Sequence, residues 1–346
     1  MGGVGHTYKD SGVDIETGNK IVRGIKKILR ESGSHRGASS HIGAFAAGYD
    51  VSRLNILNPI LYFSVDGVGT KLKIAFMTNK HDTVGIDLVA MSANDILVSG
   101  ARPFVFQDYI SFSKLDEEVI YDIIRGIVKG CEMATCELTG GETAEMPGFY
   151  GDGEYDLAGF MAGAVDRHNA VEGKRIAAGD AIVGIASSGL HSNGYSLARK
   201  VLFEELGLTV DDPFENATLG EELLKPTKIY VQSVLKLIKI YPVSAMANIT
   251  GGGFSDNIPR ILPPGVEASI KIDSWPVPPI FDLIRTKGAV SDFEMYRTFN
   301  MGIGFVLIVN SSAAKRVVSI LEDLGEKAYV IGTVGKQLGF ERITLV

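Results

Sequence analysis

Cysteine is scarce. The 346-residue chain contains two, Cys131 and Cys136, too widely spaced for a Cys-x-x-Cys pair and without histidines beside them, which argues against a zinc site or a disulfide framework and leaves two reduced thiols. No apolar run reaches the length of a membrane span, and the start, MGGVGHTYKDSG, lacks the charged and then hydrophobic pattern of a secretory signal. A cytoplasmic protein is expected. Basic residues are neither abundant nor clustered: 34 against 41 acidic ones give a net charge of −7, which argues against a nucleic-acid or membrane partner. Neither Gly-x-Gly-x-x-Gly nor a Walker sequence occurs, since Gly173-Lys174 is followed by Arg175 and Gly335-Lys336 by Gln337. A Rossmann dehydrogenase or a P-loop enzyme is therefore disfavoured.

What the chain does have is an ordinary globular composition, 45% hydrophobic and 22% charged, together with 41 glycines gathered at the ends of elements. Helical periodicity over 14–31 predicts an amphipathic helix, and the small, polar stretch 32–47 a mobile loop. Strands are expected at 60–65, 103–112, from 137, and at 155–165, with helices at 84–100 and 116–131. The polar segment 166–180, with His168 on its surface, marks a boundary, giving domains at 1–170 and 171–346. The second half repeats the alternation: strands at 181–186, 245–249, 267–272, 302–309 and 328–334, helices at 195–206, 226–240 (opened by Pro226), 279–287 and 313–324, and a loop over 207–224. Two α/β domains follow.

The chemistry concentrates where the first strand stops, at Asp66-Gly67-Val68-Gly69-Thr70-Lys71. Asp66 could hold a metal, the bare Gly67 and Gly69 backbone could approach phosphate oxygens, and Lys71 could neutralise charge. An ordinary Asp-Gly turn is the competing reading. In the small, apolar helix 84–100, Asp87, Asn94 and Asp95 stand out, and a buried Asp95 must be paired, protonated or bound to a cation. A third acid, Glu142, follows Gly140-Gly141 and precedes Thr143. Asp66, Asp95 and Glu142 thus suit a hard cation carrying a nucleotide, such as magnesium. In the second half, Ser187-Ser188-Gly189-Leu190-His191-Ser192-Asn193-Gly194 lies between a strand and a helix and reads as an anion turn, to which His191 could add a proton or a hydrogen bond. Thr250-Gly251-Gly252-Gly253, with Asn257 downstream, offers a second glycine-rich approach to a ligand.

Six blocks carry a family resemblance: DGVGTKL (66–72), GIDLVAMSANDILVSGARP (85–103), GGETAEMPG (140–148), SSGLHSNGYSL (187–197), TGGGFSDNIPR (250–260) and EMYRTFNMGIG (294–304). Together with YKDSGVDIETGN (8–19), they resemble the phosphoribosylformylglycinamidine cyclo-ligases, in order and over nearly the whole chain. The resemblance implies ATP-dependent ring closure of formylglycinamidine ribonucleotide to aminoimidazole ribonucleotide. It also implies a homodimer whose N-terminal sheets close a shared barrel, and a C-terminal α/β layer beside it. On that reading Asp66, Asp95 and Glu142 hold magnesium on ATP. Gly67, Gly69, Thr70 and Lys71, with Asn94, Gly141 and Thr143, bind the nucleotide. Ser188, His191, Ser192, Asn193, Gly251, Gly252, Gly253 and Asn257 hold the substrate, and Lys71 and His191 act in catalysis. The chain departs from the pattern at SSHIGAFA (39–46), where only Gly43 and Phe45 match. Selenophosphate synthetases and hydrogenase-maturation dehydratases are disfavoured by the absence of a cysteine near either end. Another ATP-dependent enzyme of the same superfamily, such as a thiamine-phosphate kinase, is the alternative within it, and a non-catalytic nucleotide-binding dimer the alternative of another class.

Overall fold

The computed structural model describes Gly12, residues 14–32 and residues 45–346. The loop expected over 32–47 falls, for 33–44, outside them. Helix α1 (Ile15–Ser32) buries Ile21 and Leu29, as its periodicity predicts. The first half continues with β1 (Pro59–Gly67), α2 (Leu72–Thr78), α3 (Val84–Leu97), β2 (Arg102–Phe112), α4 (Glu117–Ala134), β3 (Glu137–Glu145) and β4 (Tyr155–Asp166). Strands β2 and β3 are parallel and joined through α4, whose start is fixed by Asp116 accepting from the Glu118 and Val119 N–H groups. The four strands lie in the order β1-β4-β2-β3. Helices α3 and α4 pack together on one face, with α1 on α4. The other face leaves Leu61, Phe63 and Val65 exposed, with Phe63 stacked on Phe160.

The second half contains β5 (Ala181–Ala186), α5 (Tyr195–Arg199), β6 (Pro213–Phe214), β7 (Ala217–Thr218), α6 (Leu219–Leu223), α7 (Val231–Ile240), β8 (Ala245–Asn248), α8 (Gly253–Ile261), β9 (Val266–Ile270), α9 (Pro279–Asp282), α10 (Asp292–Thr298), β10 (Ile303–Val309), α11 (Ala314–Asp323), β11 (Ala328–Lys336) and β12 (Ile343–Leu345). Six of these strands form one sheet, β12-β9-β11-β5-β10-β8. The main hydrophobic core runs through both halves, beside a smaller cluster around Leu54, Phe104 and Val105, and α3 packs against α7 and β8.

Three expectations need correction. Residues 207–224 are not a plain loop: they hold the β6–β7 hairpin and α6, which a capping box between Thr218 and Glu221 opens. The strand at 328–334 does not end the chain, because β12 adds in parallel to β9. Nor does a helix start at Pro226. Residues 225–230 have no regular secondary structure, and their backbone groups pair with polar side chains of α3: the Thr227 N–H donates to Asp87 (2.6 Å), Asn94 donates to the Lys228 carbonyl (2.8 Å), and the Tyr230 N–H donates back to Asn94 (3.1 Å). This strap ties the second half to the buried helix of the first.

Candidate active site

The end of β1 delivers Asp66, half-buried, to the side of the sheet that faces α3. Its carboxyl is pushed up to about 6, first by burial and then by the negative charge of Asp95. The two acids are thus close enough for their charges to act on each other. Asp95 has an exposed surface, but the atoms packed around its carboxyl still desolvate it and raise its pKa, against a hydrogen bond from Asn248 (2.8 Å) and the charge of Arg260. It is not the buried carboxylate expected in α3; Asp87, fully buried, is.

From this pair the contacts run into the second half and back. Asn248 ends β8, just before Thr250-Gly251, and the Gly251 N–H donates to Asn193 Oδ1 (2.9 Å). Ser196, near the start of α5, lies 3.1 Å from the Thr70 hydroxyl. Thr70 closes the circuit, since it follows Gly67 and Gly69 beyond Asp66. Gly69 is exposed, has φ +70°, and nothing would lie within 4 Å of a Cβ there, so its backbone faces open space. Through these contacts Asp66, Asp95, Asn248, Gly251, Asn193, Ser196 and Thr70 outline a candidate cleft where the two halves meet. Sequence reasoning missed Asn248 and Ser196; the signal available was their place beside glycine turns.

Other predicted site side chains turn away from this cleft. Lys71 does not stand beside the glycine turn: it is fully buried, 2.9 Å from Asp87, donates to the Lys225 carbonyl (2.6 Å), and sits over the Tyr195 ring. Two of its three donors are engaged inside and the ammonium has no exposed surface, so its charge is answered by Asp87 and is not presented at the glycine turn. Asn94 spends its amide on the strap. Ser188 donates to the Pro226 carbonyl (2.6 Å), and Ser192 donates to Asp87 (3.1 Å) and contacts Thr227 (2.8 Å). Asn257 is buried and donates to the carbonyls of Thr250, Gly251 and Gly253, so it shapes the glycine turn from below. Gly253 is packed so closely that a Cβ would come 2.1 Å from the Tyr296 carbonyl oxygen.

His191 is also interior. Its backbone holds φ +64°, a strained conformation for a non-glycine residue, and its Nε2 accepts from the Ser188 N–H (3.2 Å). Burial, helped by the charges of Lys71 and Lys228, pulls its pKa down to about 3. A neutral acceptor that fixes the 187–194 turn is the role this permits, not proton donation.

Glu142 does not join the acid pair within one chain. Register aligns Asp66 with Gly159, Gly159 with Asp108 and Asp108 with Gly141, so β3 lies three strand spacings, about 14 Å, from β1. Glu142 pairs with Tyr109 on the opposite, open face, and Thr143 lies at the same far edge. Among the described residues no group of three His, Cys, Asp or Glu could hold a metal. Gly141 is required for a different reason: a Cβ there would come 2.4 Å from the Asp108 carboxylate.

Asp108 is the acid that sequence reasoning overlooked, hidden in the strand-like run PFVFQDYISF. Burial pushes it up to about 7. Because the folded pKa lies above the unfolded one, the folded state binds the extra proton between about pH 4 and pH 7, and stability falls as pH rises through that window. Thermal unfolding should therefore show Asp108→Asn gaining on the wild type from pH 5 to pH 8, by of the order of 2–4 kcal/mol. A pH-independent difference would contradict the buried, protonated carboxyl.

A partly exposed acid pair beside glycine turns, set where two mixed α/β halves meet, defines a class of protein. Residues 54–165 match the family description "AIR synthase related protein, N-terminal domain" and residues 177–343 its C-terminal counterpart. The fold is shared with the hydrogenase maturation protein HypE solved in complex with ATP, at TM-score 0.69 and 18% identity over 97% of this chain and 93% of that one. Phosphoribosylformylglycinamidine cyclo-ligases from Syntrophotalea carbinolica (52% identical over 98% of both chains) and Caldanaerobacter subterraneus subsp. tengcongensis (53% over 94% of this chain and 97% of the other) are far more similar. The chain belongs to the phosphoribosylformylglycinamidine cyclo-ligase family.

Proposed function

We propose that this enzyme closes formylglycinamidine ribonucleotide to 5-aminoimidazole ribonucleotide in de novo purine biosynthesis, consuming ATP and releasing ADP and phosphate. The observation that carries the reading is identity of about 50% along the entire chain to cyclo-ligases. The formyl oxygen is a poor leaving group until the terminal phosphoryl group of ATP is transferred to it. The amidine-side nitrogen then attacks the same carbon, and phosphate departs. Such chemistry asks the protein mainly for positioning and charge stabilisation.

The acid pair fits a nucleotide-borne magnesium ion, because Asp66 is held up partly by Asp95 and a cation between them would relieve that repulsion. Two carboxylates leave coordination positions for phosphate and water oxygens, as magnesium prefers. Bound there, magnesium would offset the negative charge of the terminal phosphates. The backbone of half-buried Gly67 and exposed Gly69 and Thr70 would then lie toward those phosphates. Asn193, Gly251 and Gly252 lie toward the ribonucleotide, with His191 holding their turn in shape. To test the reaction, ADP release is measured with and without the amidine substrate. Release that requires it is expected; turnover indifferent to it would favour a kinase-like relative.

The working unit in this reading is a homodimer in the cytoplasm. No described helix is long and apolar enough to cross a membrane, and an apolar sheet face with Phe63 62% and Val65 72% exposed suits burial against a second copy, the two sheets closing one barrel. Phe63→Glu is expected to shift sedimentation from dimer to monomer at micromolar concentration. A variant that sediments unchanged would place the interface elsewhere.

A further inference from the structure

At the opposite end of the N-terminal sheet lies a cavity of about 890 Å³, bounded by the ends of β2 and β4, the 167–175 connector and the end of α7. It is not part of the catalytic cleft. Asp66 pairs with Gly159, whereas the cavity begins near Asp166, which pairs with Pro59, seven residues or about 23 Å away along β1. Its charge is one-sided: Arg102, Arg167, His168, Lys174, Arg175 and Lys239 line it against a single carboxylate, Glu172. Within the lining, Glu172 is taken by Lys174, and Arg175 donates to the Val243 carbonyl (3.0 Å). Arg102, Arg167 and Lys239 are exposed and make no ion pair among the described residues, in a chain of net charge −7. Behind them the wall is apolar, from Val165, Leu235, Ile238 and Tyr241.

We propose that this cavity is a second ligand site, for a phosphate monoester carrying a planar, largely apolar body, such as a nucleoside monophosphate. Three uncommitted cations match a phosphate dianion, and the volume and apolar wall match a base and sugar. Both halves of the ligand are needed: a free phosphate leaves the wall unused, and a nucleoside leaves the cations unanswered. Because the connector joins the two domains, occupancy would brace it.

The test is equilibrium dialysis of labelled AMP against the full-length protein with the catalytic cleft saturated by magnesium ADP. One equivalent of AMP should remain bound. Arg167→Glu/Lys239→Glu should weaken it at least about tenfold while leaving turnover intact, and inorganic phosphate or adenosine alone should bind about tenfold more weakly than AMP. Complete displacement of AMP by magnesium ADP, unaltered AMP binding in the double variant, or inorganic phosphate binding as tightly as AMP would each overturn the proposal.

Discussion

Lys71→Met should lower the unfolding free energy by about 3–5 kcal/mol, the usual consequence of removing one partner from a buried ion pair. Asp87 has no exposed surface, and its Oδ1 receives Lys71, the Ser192 hydroxyl and the Thr227 N–H, while its Oδ2 has no hydrogen-bond partner. Without the ammonium, a charge remains in a site that water does not reach, and the protein must protonate it or open the strap. Neutralising both members separates this account from a catalytic one. Lys71→Met/Asp87→Asn keeps an acceptor for Thr227 without leaving a charge, so urea unfolding should show it recovering most of the loss. Activity should follow, because the same oxygen ties the 187–194 turn and the strap to α3. A Lys71→Met protein as stable as wild type, with only the chemical step impaired, would restore Lys71 to the phosphates.

That contrast shows what was legible in the sequence. The acid, the glycines and their order along the chain mark a turn at the end of β1 as a candidate for ligand binding, beside the reading of an ordinary Asp-Gly turn. Direction was not legible. Asn94 and Asp95 are neighbours, but successive helical residues point about 100° apart, so one clamps the strap and the other faces the cleft. In a helix whose remaining residues are nearly all small or apolar, no polar stripe reveals which is which. Glu142 and Gly141 pose the same problem at a strand's period of two, settled only by pairing with Tyr109 and Asp108. The irregular strap at 225–230 escaped because Pro226 suits a helix start, and its competing partners, Asp87 and Asn94, lie more than 130 residues away.

Asp95→Asn should reduce turnover by about 10²–10³-fold, the range expected when a charge group fixed at the reacting phosphates is lost. The substitution keeps the size of the side chain and an oxygen toward Asn248, so stability should change little. What disappears is half of the charge of the proposed cation site, and Asp66, freed of its neighbour, should titrate closer to an ordinary carboxyl. ADP binding across a magnesium titration is the informative readout: affinity should need more magnesium, and excess metal should restore binding before it restores turnover. Glu142→Gln, altered on the open face, should shift that titration less than about tenfold, a much smaller loss than removal of a direct metal ligand causes. A loss as large as that of Asp95→Asn would mean that the third carboxylate reaches the cleft from a second chain. Unchanged turnover and magnesium dependence in Asp95→Asn would remove the metal from this cleft altogether, because no other described acid stands beside Asp66 to take its place.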